Sequence, residues 1–298
     1  MFNEVHFIGV GAVKCGSSWM ASLLNQHPEV SMSDRKEISF FNAYNFNGTI
    51  NTSYGYGKTY YSKFWPNTRK VKGEVSPQYL FDLESSRRIK ETFPNVHILI
   101  ILRNPKEVVY SHYLYDKFFN RSIDSSFDFI EALEYYPYLL KSACFTEQIE
   151  RYFKVFDKDK IHIYFLDEAL KDKHEFSKQL YTDINLKDVN FRPNYALVNQ
   201  SKQINSFIIN VLIKFPSLVK QIIERSILNK ILEKLKRSKL FIGIVRFRNN
   251  ILDKNVKQLK KPKMTLEEKY YLEAYFKNEI QNLENLLDLD LSRWKTID

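Results

Sequence analysis

The chain has 298 residues, of which 44% are hydrophobic, 27% charged and 15% aromatic. That balance fits a globular protein with a large core and excludes a disordered or low-complexity chain. The net charge is +10, and the two cysteines, Cys15 and Cys144, are too far apart for a metal or redox spacing, which excludes a disulfide scaffold.

Apolar residues Val5, Phe7, Ile8 and Val10 predict a first strand close to Met1, leaving no room for a signal peptide. No run of about 18 apolar residues predicts a membrane span, so the expected compartment is the cytoplasm. The strand enters a loop framed by Gly11 and Gly16, and Trp19, Leu23 and Leu24 continue it as a helix. Small residues ahead of a helix N-terminus suit a phosphate approached by backbone N–H groups. A triphosphate-cleaving loop needs Lys and then Ser or Thr after its second glycine. Here those positions are Ser17 and Ser18, and the lysine is displaced into the loop as Lys14. The pattern predicts an anion cradle unsuited to metal-assisted γ-phosphoryl transfer. By itself the loop is equally an ordinary strand-to-helix packing turn.

Pro28 predicts a helix end at His27, and a short strand or turn leads to Lys36-Glu37-Ile38-Ser39-Phe40-Phe41. Residues from about 42 to 70 are rich in Asn, Gly and Tyr and read as an irregular surface insertion. Val71 to Val75 predicts a strand, Leu83 to Phe93 a helix, and Asn95 to Leu102 a strand buried on both faces. Arg103-Asn104-Pro105 then opens a helix, because proline suits a first helical turn. Arg103 therefore falls at the carboxyl edge of a sheet, where open α/β folds bind ligands. Further helices are predicted around Glu147 to Phe156 and Phe176 to Tyr181, with a strand at Lys160 to Leu166. Strand and helix alternate through the first two thirds, which predicts an α/β fold: a doubly wound, P-loop-like parallel sheet flanked by helices. The C-terminal portion reads as helical, and residues 1–298 read as one domain.

Lys214 to Lys263 carries fifteen Lys/Arg and three acids, a net of +12, so the remainder nets −2. With its apolar groups at helical spacing, the region from about 207 to 263 reads as a basic amphipathic helical segment. A core-facing helix with a solvated basic face and a peripheral contact at the inner face of the membrane are both open readings. No recognition motif accompanies the charge, so nucleic acid is not an expected partner.

Two motifs now stand together: Lys14 to Trp19 after the first strand, and Arg103 to Tyr113, including Ser111, after a later one. The pair resembles the sulfotransferases that use 3′-phosphoadenosine 5′-phosphosulfate (PAPS), in particular the heparan-sulfate type and its bacterial relatives. The resemblance extends through Lys36 to Phe41, Glu74 with Ser76-Pro77-Gln78-Tyr79, Phe145 to Tyr152, Ile161 to Asp167, and Tyr275 to Trp294. It implies that Lys14, Cys15, Gly16, Ser17, Ser18 and Trp19 hold the 5′-phosphosulfate. It implies further that Arg103 and Ser111 hold the 3′-phosphate, that Glu37 is the catalytic base, and that Lys202 belongs to a late cofactor-binding loop. Adenosine 3′,5′-bisphosphate would be the product nucleotide, no metal would be needed, and a carbohydrate or lipid-linked hydroxyl or amine would be the acceptor. Two departures stand out. Val75 replaces a lysine common in the glycosaminoglycan-acting members, and the Lys-Gly-Arg pattern expected near Lys202 is absent.

Taken singly, Glu37 reads as a solvated acid or a partner of Lys36 or Arg35, Arg103 as a surface ion pair, and His112 as a packed histidine. Cys15, at a helix N-terminus where thiol pKa falls, reads as loop lining, and Cys144 as a small buried residue. The competing functions are a P-loop nucleotide phosphotransferase and a non-catalytic basic module for polyanions or membranes.

Overall fold

A computed structural model describes residues 4–44, 48–65, 71–196, 202–204, 256–258 and 262–296. Most of the basic segment of about 207–263 lies outside the described residues. The chain forms two compact units: one comprises Met1–Lys117, Ser122–Asn199 and Met264–Asp298, the other Phe118–Arg121 and Gln200–Lys263.

The first unit is built on five parallel strands: β1 (Phe7–Gly11), β2 (Val30–Met32), β3 (Val71–Val75), β4 (His97–Leu102) and β5 (Ile161–Phe165), in spatial order β2-β3-β1-β4-β5. Phe7 is in register with Gly73 on one side and His97 on the other. β1 is buried along its whole length, and in β4 every residue after His97 is buried. Such strands must be covered on both faces, and helices do so. These are α1 (Ser17–Gln26), α2 (Gly57–Tyr61), α3 (Ser85–Thr92), α4 (Pro105–Leu114), α5 (Phe129–Tyr135), α6 (Tyr138–Lys141), α7 (Phe145–Phe153), α8 (Leu166–Lys171), α9 (Lys173–Asp183) and α10 (Leu266–Leu287). β3 lies on one side of β1 and β4 on the other, so strand order reverses at β1. The crevice above the carboxyl ends of β1 and β4 is where such a sheet accepts a ligand.

Local signals set the helix boundaries. α1 ends at Gln26 with His27 extended before Pro28. α4 carries Pro105 at its start, and the Asn104 side chain accepts from the Lys106 N–H. α10 begins with a reciprocal capping box between Thr265 and Glu268. It packs on α7 and α4, and Glu279 accepts from both the N–H and the hydroxyl of Thr146. Beyond α10, Trp294 is buried against Phe165 with ring centroids 5.6 Å apart, and Arg293 pairs with Asp167 at 2.6 Å. The tail thereby fixes α8 against the end of β5.

The described residues of the insertion, 42–44 and 48–65, are more ordered than its composition suggests. They include α2, and Tyr61 and Trp65 among them are buried in the core. No described helix is long and apolar enough to cross a membrane. In the second unit, β6 (Lys202–Ile204) and β7 (Val256–Gln258) pair antiparallel, with Lys202 opposite Gln258. β7 is a strand within a region expected to be helical throughout.

Candidate active site at the carboxyl edge of the sheet

β1 delivers its loop into the reversal crevice. The Ala12 N–H donates to the Ile101 carbonyl at 2.8 Å, which fastens the start of the loop to β4. Gly16 ends the loop at φ +92 as the N-cap of α1, and a Cβ there would come within 2.8 Å of Leu166 Cδ1. Glycine is required both by the left-handed backbone and by α8 pressing on it. No side chain caps α1, so the N–H groups of its first turn and the positive end of its dipole suit an anion. Ser17 is buried, Ser18 half-buried, and Trp19 sits in the core stacked on Phe176 at 5.3 Å.

Lys14 adopts a left-handed backbone, φ +59, and its Nζ lies 3.8 Å from the centroid of the Tyr115 ring. Cation and ring face attract each other, so Tyr115 sets where the ammonium points. Cys15 is fully buried, and burial pushes its thiol up to about 12, against the pull of the Arg103 guanidinium and N–H. It is a loop-lining group, with none of the acidity a helix N-terminus gives an exposed cysteine.

Arg103 follows β4, and its Nε donates to Glu107 Oε2 at 2.5 Å. Glu107 and Ser111 follow Arg103 at four-residue steps on one face of α4, and Tyr115 comes one such step after Ser111, just past the helix. Ser111 is half-buried. Arg103 thus leads into the helix, and the ring beside Lys14 follows its end. On the inner side of the helix, His112 is buried: Nδ1 lies 3.1 Å from Ser142 Oγ and Nε2 3.6 Å from Asp116 Oδ2, which also accepts from Tyr138 at 2.6 Å. Burial lowers the His112 pKa, Lys14 adds to that, and Asp116 opposes it. His112 is the packed structural histidine expected from sequence.

Glu37 lies in a turn where both it and Ser39 have positive φ, +54 and +53. Its carboxylate is 3.3 Å from Lys36 Nζ, with the Glu37 side chain one-third exposed. Glu37 also helps to raise the Tyr115 phenol, behind burial and Asp116 in that order. Lys202 lies in the second unit, and its side chain lies outside the described residues. Among the described residues, no group of three or more His, Cys, Asp or Glu could hold a metal ion.

Two residues here were given no role from the sequence. The four-residue spacing from Arg103 through Ser111 was the signal for Tyr115. Glu74 was named only as the start of the segment Glu74 to Tyr79, and it lies at zero exposure in the buried half of β3. Burial raises its carboxyl pKa, and hydrogen bonds from Tyr61, Ser76 and Tyr79 oppose the rise.

The chain resembles known proteins. It is 30% identical to the membrane-associated sulfotransferase kil1 of Dictyostelium discoideum over 108 residues, 36% of this chain and 22% of that protein. It is 27% identical to human heparan sulfate glucosamine 3-O-sulfotransferase 5 over 168 residues, 52% of this chain and 45% of the relative. The chain thus matches less than half the length of these curated relatives. A crystal structure of a sulfotransferase from Alicyclobacillus acidocaldarius shares the fold at a TM-score of 0.68 and 19% identity, over 99% of this chain and 100% of that one. The family model for the sulfotransferase domain matches residues 5–187, a span that holds the β1 loop, Glu37, Arg103 and Ser111. The chain belongs to the sulfotransferase domain family.

Proposed function

We propose that the chain transfers a sulfuryl group from PAPS to a hydroxyl or amine of a carbohydrate or glycolipid-type acceptor. The observation that carries this reading is Lys14, inside the glycine-framed loop with its ammonium against Tyr115, the residue that follows α4 where Arg103 leads in. An uncapped helix start, the Gly16 approach and a guanidinium at the strand end suit a nucleotide with phosphates at both ends.

In this reading the first-turn N–H groups of α1, with Ser17 and Ser18, hold the 5′-phosphate, and Arg103 and Ser111 hold the 3′-phosphate. Arg103 exchanges its bond to Glu107 for the phosphate, or shares its fork between them. Glu37 takes the proton of the acceptor as the acceptor atom bonds to sulfur and the bond from sulfur to the bridging oxygen breaks. Lys14 stabilises the charge that develops on that oxygen, and adenosine 3′,5′-bisphosphate leaves. Neither step requires a metal ion. The basic segment is read as a peripheral contact with anionic lipid at the inner face of the membrane or as a guide for an anionic acceptor. The membrane-associated name of one relative is in keeping with the first of these.

The test is transfer of label from [35S]PAPS to a glycan panel that includes heparan sulfate, alongside [γ-32P]ATP with Mg²⁺. Transfer of sulfuryl alone is expected. Transfer of phosphate without sulfuryl would overturn the assignment in favour of a phosphotransferase.

A further inference from the structure

Glu74 is the most deeply buried acid near the site, and its surroundings give it more to do than fill the core. A carboxylate at zero exposure is tolerated only when its oxygens are hydrogen-bonded. Here Oε1 accepts from Tyr61 at 2.5 Å and Tyr79 at 3.0 Å, and Oε2 accepts from Ser76 at 2.7 Å. Burial and the adjacent carboxylate hold the Tyr61 and Tyr79 phenols well above their usual pKa, so both remain donors.

Two of these donors also grip the turn that carries Glu37. Ser76 Oγ accepts from the Ser39 N–H at 3.2 Å, and the Tyr79 hydroxyl accepts from the Phe40 N–H at 2.8 Å. The consecutive N–H groups of Ser39 and Phe40 thus reach one carboxylate, each through one hydroxyl. This hold offsets the cost of left-handed backbone at two residues that are not glycine, Glu37 and Ser39. At the far end of the segment Asp82 accepts from the N–H groups of Ala43 and Tyr44 at 2.8 and 3.1 Å, so both ends of the turn are anchored.

We propose that Glu74 is a positioning residue: through Ser76 and Tyr79, its carboxylate sets the turn that aims Glu37 at the acceptor. This rests on the reading of Glu37 as the base. Tyr61 joins the insertion to the same carboxylate, so the insertion also bears on how the base is held.

The test uses the full chain carrying Glu74→Gln, with Ser76→Ala as a second variant that removes one link and leaves the carboxylate and both tyrosines in place. Hydrogen exchange reads the hold directly and needs no acceptor. In Glu74→Gln the N–H groups of Ser39 and Phe40 are expected to exchange roughly tenfold faster or more, while those of β4 stay protected. In Ser76→Ala the gain is expected at Ser39. With [35S]PAPS and heparan sulfate, kcat is expected to fall roughly 10²-fold in Glu74→Gln at unchanged KM for the donor, the cost of a misplaced catalytic group. In a Glu37→Gln background the same substitution should add about twofold or less, because residues acting through one another are not additive.

Unchanged exchange at Ser39 and Phe40 would overturn the proposal. So would an equal loss of kcat in both backgrounds, or faster exchange across the whole sheet, since each is what a purely stabilising residue produces. Absence of any sulfuryl transfer by the unsubstituted chain would instead refute the functional reading, and the exchange result would still decide whether Glu74 holds the turn.

Discussion

Glu37→Gln separates chemistry from folding because the structure makes the two effects very different in size. The side chain is one-third exposed and its ion-pair partner, Lys36, is 62% exposed. A pair so open to solvent contributes about 1 kcal/mol at most. For a chain of this length that shifts the melting temperature by roughly 2–4 °C or less. Gln differs from Glu by one atom and tolerates φ +54 as Glu does, so the turn should survive. Loss of a general base costs roughly 10²–10⁴-fold in rate, or about 2.7–5.5 kcal/mol at the transition state. The expected variant is therefore folded, binds adenosine 3′,5′-bisphosphate like the parent, and transfers almost no label from [35S]PAPS. A kcat within about twofold of the parent, far inside the range expected for a general base, would refute the role given to Glu37. A rate loss accompanied by an equal loss of nucleotide binding would refute it as well.

Three further outcomes follow from the same geometry. Arg103→Ala should weaken adenosine 3′,5′-bisphosphate by roughly 10- to 100-fold, the size of a lost charge-assisted hydrogen bond, yet leave AMP, which has no 3′-phosphate, almost unaffected in isothermal titration. The lowered His112 pKa implies stability that is complete above pH 6.5 and is lost as pH falls below it, because the unfolded chain binds a proton there that the folded one resists. The melting temperature of His112→Gln should accordingly fall less steeply than that of the parent between pH 6.5 and 4.5, the window below the ordinary histidine value. Both thiols are pushed up to about 12 by burial, so iodoacetamide at pH 8 should label neither Cys15 nor Cys144 until urea unfolds the chain.

Features of the fold that depend on neighbouring residues were legible in the sequence. The β4 run, the glycine frame of the β1 loop, Pro28 after α1 and Pro105 at the start of α4 each act within a few residues, so spacing revealed them. The edge position of Arg103 followed from the same local logic, because a buried parallel strand that runs into a helix has its carboxyl end at the crevice. The hold on Glu37 was not legible. Ser76 and Tyr79 meet the turn across 37 and 39 residues of sequence, and Tyr61 meets Glu74 across 13; no periodicity encodes such meetings. The insertion illustrates the same limit: its polar composition signals surface, while two of its aromatics are drawn into the core by Glu74 and the Ser31 carbonyl. Val75, where related glycosaminoglycan-acting enzymes are expected to carry lysine, is buried.

The central claim is that the β1 loop and Arg103 form a site for a nucleotide phosphorylated at both its 3′ and 5′ positions. The most direct measurement is a thermal shift with adenosine 3′,5′-bisphosphate, compared with ATP plus Mg²⁺ at equal concentration. A ligand that binds only the folded chain adds about 2.7 kcal/mol when present at one hundred times its Kd. Selective stabilisation by the bisphosphate is the predicted result, and selective stabilisation by ATP with Mg²⁺ would contradict it.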